Sequence, residues 1–320
     1  MSGDLFLLGP QRPNPNLGEA LERIPGTGPI VTITAGWRLD EGEIDALHAV
    51  VGPDAVHLPL YQWFEECMET MPETRRRYKQ RQRELRRVKE LYRIRLHRAL
   101  EAVRALHERA DQDNELVEKQ LEWALADVRR IDRQFVDHSK SLFAAYTDVS
   151  RPWELPEVAA RRKESAEKLS SARAILIAGG HVAVLRNRML FFGVHQQLFQ
   201  AWLQKTAVVA WGAGAMVLTD PIVLFYDDPP DGPSHPEILD SGLALVQDTV
   251  VLPDAEKRLR LRDRMRVRLL AGRFRPHQCV AMENGAFLEM KDGGWVQRGE
   301  RGTASVLEPT GEVVPLEPIA

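Results

Sequence analysis

The residues with the most chemical promise are Ala210-Trp211-Gly212-Ala213-Gly214-Ala215-Met216. An apolar run from Ala207 to Trp211 stops there in small residues, and an apolar helix start, Met216-Val217-Leu218, follows. Hydrolytic α/β enzymes place a nucleophile on a sharp turn of this kind, between a buried strand and a helix. Small residues let the turn close, and the helix N-terminus offers amides to a developing oxyanion. A second stop, Gly179-Gly180-His181, closes the apolar run Ala174 to Ala178. His181 thus stands at a strand's carboxyl end, where open α/β sheets bind ligands; a helix cap is the plainer role for it. Gly9-Pro10-Gln11-Arg12 and Ala35-Gly36-Trp37-Arg38 follow two further apolar runs. Arg12 and Arg38, with Asn14 and Asn16, can hydrogen-bond a carboxylate, although each arginine alone also reads as a surface loop cation. Cys67 and Cys279 are too few for a disulfide framework or a zinc site and read as small buried hydrophobes. His195, His235 and His277 lack metal-ligand spacing. No metal or cofactor is expected.

The elements that must position these residues follow from apolar periodicity. Leu5 to Leu8 and Pro29 to Thr34 are short apolar runs, the pattern of strands buried on both faces, and Ala55 to Leu60 is a third short strand. Leu17 to Ile24 can form a helix between the first two, and Asp40 with Glu43 suggests a capped helix reaching Val51. This alternation predicts a doubly wound, mostly parallel α/β sheet. From Pro72 to Thr147 the pattern changes: there is no Gly, and apolar residues recur at helical spacing. A long helical hairpin is expected there, broken at Asp111-Gln112-Asp113-Asn114, with a third helix after Pro156. The expected organisation is a first part of the α/β domain over 1–72, a helical insertion over 73–173 and a second part over 174–320. Glu256 to Gly272 reads as one basic helix, and the chain from Cys279 to Leu316 as short antiparallel edge strands.

With these pieces in place the chain resembles the cyanophycinase and dipeptidase E group of serine peptidases, within the class I glutamine-amidotransferase-like folds. The resemblance rests on the small-residue elbow at Gly212 and the turn Ala178-Gly179-Gly180-His181, and covers about 1–60 and 174–290. The long helices between are an insertion relative to small family members. The resemblance implies a nucleophile at the position held by Gly212, an aspartate at Asp227 or Asp228 ahead of Pro229, and a catalytic histidine near Pro253-Asp254. It also implies a crevice lined by Gly179, Gly180, His181 and Ala213. The departures are chemical. Glycine cannot form an acyl-enzyme, and Asp254 cannot replace imidazole as a base near neutral pH without a large pKa shift. Losing the nucleophile alone removes most of a triad's rate enhancement, roughly 10⁶-fold in model serine proteases. The expected protein is therefore a catalytically degenerate peptidase relative that binds a peptide-like or carboxylate ligand, or a protein partner. Two alternatives stand beside it. One is an active hydrolase of peptide or isopeptide bonds using other residues. The other is a scaffold or nucleic-acid-binding protein working through the helical insertion.

Composition bounds these readings. Of 320 residues, 44% are hydrophobic and 28% charged, which excludes a disordered chain, and the formal net charge of −3 gives no argument for a nucleic-acid protein as a whole. No apolar run is long enough for a transmembrane helix, and the N-terminus lacks a basic signal region, so a cytoplasmic protein is expected. Locally, Arg75 to Arg98 carries a balance of +10 and Glu108 to Asp132 one of −4. An antiparallel hairpin is expected to bring these signs together. Few aromatics interleave the cations, so nucleic acid is not the expected partner. Leu91, Leu96, Leu100 and Trp123 lie beside the expected seam, and covering them predicts a homodimer.

Overall fold

Strands buried on both faces need apolar residues throughout, and those runs build the central sheet. The computed structural model describes residues 2–109, 115–225, 235–299 and 302–317. β1 (Leu5–Leu8), β5 (Ala207–Trp211), β4 (Ala174–Ile177), β2 (Ile30–Ile33) and β3 (Ala55–Leu58) lie side by side in that order, all parallel. β10 (Phe287–Lys291) and β11 (Gly294–Gln297) extend the sheet antiparallel beyond β1, to seven strands. Side chains alternate between two cores. Leu5, Leu7, Val31, Ile33, Ile175, Ile177, Val208 and Ala210 face α3 (Leu60–Thr70), α7 (Val182–Phe191), α8 (Val194–Leu203) and α9 (Ala213–Leu218). Phe6, Leu8, Ile30, Leu176, Val209 and Trp211 face α1 (Leu17–Glu22) and α2 (Asp45–Val51).

Several expectations are corrected here. Asp40 caps no α-helix: Ala35–Asp40 is a tight 3-10 turn, and α2 begins only at Asp45. The basic helix is two, α10 (Ala255–Arg258) and α11 (Arg264–Phe274), because the Asp263 carboxylate accepts from the Arg266 amide (3.2 Å) and restarts the helix. The late strands are not one antiparallel edge. β9 (Gln278–Met282) pairs parallel with β8 (Thr249–Pro253) and antiparallel with β12 (Ala304–Leu307), which carries β13 (Val313–Pro315). β6 (Ile222–Leu224) and β7 (Glu237–Asp240) form a separate pair.

α4 (Pro72–His107) and α5 (Glu115–Ser150) form the hairpin, followed by α6 (Pro156–Ser171). Tyr92 of α4 stacks on Phe135 of α5 with ring centroids 4.3 Å apart. The hairpin is tied to the rest of the chain by a buried network. The fully buried Arg273 of α11 makes two 2.7 Å hydrogen bonds to the Asp132 carboxylate of α5, and its Nη2 donates to the Tyr92 hydroxyl (3.0 Å). The Tyr92 hydroxyl donates to Asp132 (2.8 Å) and accepts from the amide of Ile238 in β7 (3.1 Å). Leu96 and Leu100, expected to need cover from a second subunit, are buried within the chain, whereas Leu91 and Trp123 are exposed.

The expected cancellation of charge between the two helices does not occur: among the described residues no ion pair joins α4 to α5. The reason is register. Tyr92 lies opposite Asp132, Tyr78 lies near Tyr146, and Arg77 donates to the carbonyl of Val149. Residues 75–87 therefore run beside 138–150, which hold a single acid, Asp148. The acids of α5 pair instead with Arg268 and Arg273 of α11, or with arginines of α5 itself.

Candidate functional site

The site lies where neighbouring parallel strands send their chains to opposite faces of the sheet. β1 and β2 are followed by α1 and α2 on one face, while β5 and β4 are followed by α9 and α7 on the other. Such switch points open crevices at the carboxyl ends of strands. Here the crevice is a cleft of about 1160 Å³. Gly179, Gly180, Gly212 and Ala213 line it together with Arg12, Trp37, Asp40, Glu43, Trp211, Phe225, Asp254 and Arg258.

Gly212 forms the apex of the strand-to-helix turn with φ 54° and ψ −122°, a backbone state that L side chains rarely adopt. A Cβ on Gly212 would meet only the Gly179 Cα, at 3.6 Å, so the two glycine turns lie side by side and the apex has room for a side chain. Gly214 is different. A Cβ there would stand 2.1 Å from the carbonyl oxygen of Ile177, so glycine is what lets α9 lie against β4.

The sequence-derived candidates divide. Gly179, Gly180, Ala213, Arg12, Gly212 and Asp254 are brought to one cleft. Arg38 is exposed and is not among the lining residues, even though its backbone carries a strained φ of 64°. His181 is not among them either; its Nδ1 accepts from the Val184 amide (3.4 Å), capping α7. Asn16 is buried and donates to the carbonyls of Gly285 (2.8 Å) and Ala286 (3.1 Å), so it is not available to a ligand. Asp227 and Asp228 lie outside the described residues. Asp254, in a left-handed conformation, pairs with Lys257 (3.1 Å) and lies 3.9 Å from Arg258. Burial, reinforced by the neighbouring carboxylates of Glu256 and Asp254, raises the carboxyl pKa of Glu283. Cys67 and Cys279 are buried, and burial pushes their thiols up to about 11 and about 12, the opposite of an activated nucleophile. Among the described lining residues there is no Ser, Thr, Cys or His. No group of three or more His, Cys, Asp or Glu is arranged to hold a metal among the described residues.

Phe225 and Arg258 escaped the sequence reading, and Trp37 and Trp211 entered it only as members of the turns Ala35-Gly36-Trp37-Arg38 and Ala210-Trp211-Gly212, with no role of their own. The signal for Trp211, the last residue of β5, is its place at a parallel strand's carboxyl end. Glu41 was missed as well, and it holds the cleft's rim. Its buried carboxylate accepts from the amides of Tyr61 and Gln62, each at 2.8 Å, and so ties the turn bearing Trp37 and Asp40 to the start of α3. Thr34 Oγ1 donates to the Glu41 carbonyl (3.1 Å) and lies 2.9 Å from His57 Nε2.

Burial pushes the Glu41 carboxyl up to about 7, against the pull of the two amides. The folded chain therefore holds this proton to higher pH than the unfolded chain. The associated stabilisation is complete below about 4.5 and is lost as pH rises through about 7. Wild-type stability should fall relative to Glu41→Gln across that window by about 2–3 kcal/mol, at about 1.4 kcal/mol per unit. Urea midpoints measured from pH 4.5 to 7.5 provide the check, and parallel profiles for the two proteins would refute it. His57, which burial lowers to about 4, is present in both proteins and cancels.

Comparison with known proteins adds to this geometry. The family model for peptidase family S51 matches residues 125–297. The crystal structure of a peptidase from an acI-B1 Actinobacterium aligns over 99% of this chain and 95% of its own, at 14% identity and a TM-score of 0.52, which shows a shared fold. A protein from Listeria monocytogenes EGD-e, assigned provisionally as a peptidase E, aligns over 43% of this chain and 65% of its own, at 14% identity and a TM-score of 0.32. A search of curated proteins returned no match.

Proposed function

The chain belongs to peptidase family S51, and from that premise we propose that it is a non-hydrolytic member whose cleft binds a peptide-like or carboxylate ligand without cleaving it. The observation that carries this reading is Gly212. The turn has the strained geometry of a nucleophile elbow, but its apex has no side chain, and no hydroxyl, thiol or imidazole replaces it among the described lining residues. Acyl transfer needs a nucleophile and a base within hydrogen-bond reach of each other. Asp254, paired with Lys257, supplies neither. What the cleft does carry suits binding: Arg12 and Arg258 for a carboxylate, Asp40 and Glu43 for an amine, and Trp37 and Trp211 for apolar contact.

Purified protein should neither hydrolyse aspartyl dipeptides nor be labelled by a fluorophosphonate. Calorimetry with an acidic dipeptide should show binding that Arg12→Ala weakens about tenfold, or about 1.4 kcal/mol. Turnover that persists after Cys67→Ala and Cys279→Ala would sink the reading. Gly212→Ser combined with Asp254→His is the stronger test in the other direction: fluorophosphonate labelling of that variant, absent from the wild type, supports a mechanism lost at these two positions.

A further inference from the structure

The proximal part of α4 carries a charge that the fold does not use. Arg75, Lys79, Arg83, Arg86 and Arg87 are exposed, and none of them has an ion-pair partner among the described residues. At 3.6 residues per turn and 1.5 Å per residue they fall within about 120° of arc and about 18 Å of helix length. They form one stripe on one face. Part of it borders a concavity of about 250 Å³ lined by Pro72, Arg75, Arg76, Lys79 and Arg83. Glu90 is the first unpaired acid on this face and closes the stripe.

Stability does not account for the stripe. Cations near a helix N-terminus oppose the macrodipole, which favours acids there, yet only Glu73 is acidic in the first turn. The register of the hairpin leaves residues 75–87 beside a nearly acid-free stretch of α5, so the fold does not neutralise them.

We infer that this face of α4 docks the phosphodiester backbone of a nucleic-acid duplex. The charge is complementary, and five cations over about 18 Å, one per about 3.6 Å, match the spacing of about 3.4 Å between phosphates along one strand of a duplex. Four of the five cations are arginine, whose planar fork matches phosphate oxygens two at a time. A lipid surface fits less well: an interfacial helix must present an apolar face to the membrane, and that face of α4, with Tyr92, Leu96 and Leu100, is buried against the chain. A protein partner fits less well too, because the stripe offers no aromatic or aliphatic anchor around which an interface core forms. Contacts of the stripe to phosphates position the duplex and carry no base information, so binding is independent of base sequence.

The test is fluorescence anisotropy of the full chain with a fluorescein-labelled 24-base-pair DNA duplex, from 50 to 200 mM salt. Five neutralised phosphates predict a slope of about −4.5 in log affinity against log salt, an affinity loss of about 500-fold over that range. Reversing the charge at three stripe positions, Arg75→Glu, Lys79→Glu and Arg83→Glu, should abolish binding. The same net change made elsewhere on the surface, Lys163→Glu, Arg262→Glu and Lys291→Glu, should leave most of it. Circular dichroism checks that both triple variants are folded, and each single Arg83→Gln or Arg87→Gln change should reduce the slope by about one. No binding at 50 mM salt overturns the inference. So does equal loss in the two triple variants, or binding of phosphatidylserine vesicles with none of the duplex.

Discussion

Replacing Asp132 with alanine should cost about 3–5 kcal/mol of folding stability. Arg273 is fully buried, and the Asp132 carboxylate is its only charged partner among the described residues, held by two 2.7 Å hydrogen bonds. Removing one member of a buried pair leaves the other charge unpaired in a medium that solvates it poorly, and that cost is what makes the loss large. The remaining bonds of Arg273, to the Pro236 carbonyl and the Tyr92 hydroxyl, are neutral acceptors and cannot replace a carboxylate. The network joins α4, α5, α11 and β7, so the variant should loosen the hairpin as a unit. Hydrogen exchange should show amides of 85–105 and 121–140 losing protection together. Tyr92→Phe, which removes hydroxyl hydrogen bonds but leaves the ion pair, should cost only about 1–2 kcal/mol. Urea denaturation of the three proteins decides the matter. An Asp132→Ala loss under 1 kcal/mol would show that the pair does not hold the hairpin.

Gly214→Ala should be nearly as damaging, although it adds a single methyl group. The new Cβ would lie 2.1 Å from the Ile177 oxygen and 2.8 Å from its carbonyl carbon, which are backbone atoms of a central strand that no rotamer change can move. α9 would have to lift from β4, and a loss of at least about 3 kcal/mol is expected, the upper part of the range for overpacking. The motion would also displace Gly212 and Ala213, so any ligand binding in the cleft should weaken in the same variant. Gly212→Ala has room by comparison and should cost about 1–2 kcal/mol for its left-handed backbone. Gly18→Ala, on a helix with nothing within 4 Å of the added atom, should be neutral or slightly stabilising. Equal thermal midpoints for Gly212→Ala and Gly214→Ala would contradict the packing described for the elbow.

Membership of a peptidase family does not by itself determine whether this chain hydrolyses anything, because a fold positions a reacting side chain but does not supply it. The arrangement around Gly212 separates those two contributions. The strained turn and the adjoining Gly179-Gly180 turn are backbone features, and neither needs a side chain at position 212. No helix among the described residues is long and apolar enough to cross a membrane.

The sequence by itself determined what depends on neighbours in the chain. Continuous apolar runs identified the parallel strands, since only a strand covered on both faces dispenses with polar residues. Gly212 and Gly214 marked the elbow, because a positive φ at a tight turn favours glycine and close backbone approach excludes a side chain. The uninterrupted helical spacing between Pro72 and Thr147 marked the hairpin. Only the tertiary structure decided how those pieces meet. It aligned Arg75 to Arg87 with the acid-poor end of α5, placed Asp132 against an arginine 141 residues away, and set the Glu41 carboxylate on the start of α3. It also took Arg12 into the cleft and left Arg38 outside, two arginines that follow their strands in the same way. Helical and strand periods constrain residues within a few positions of one another. Register between distant segments is set by packing and by the pairing of buried charges, and those partners are not neighbours in the chain.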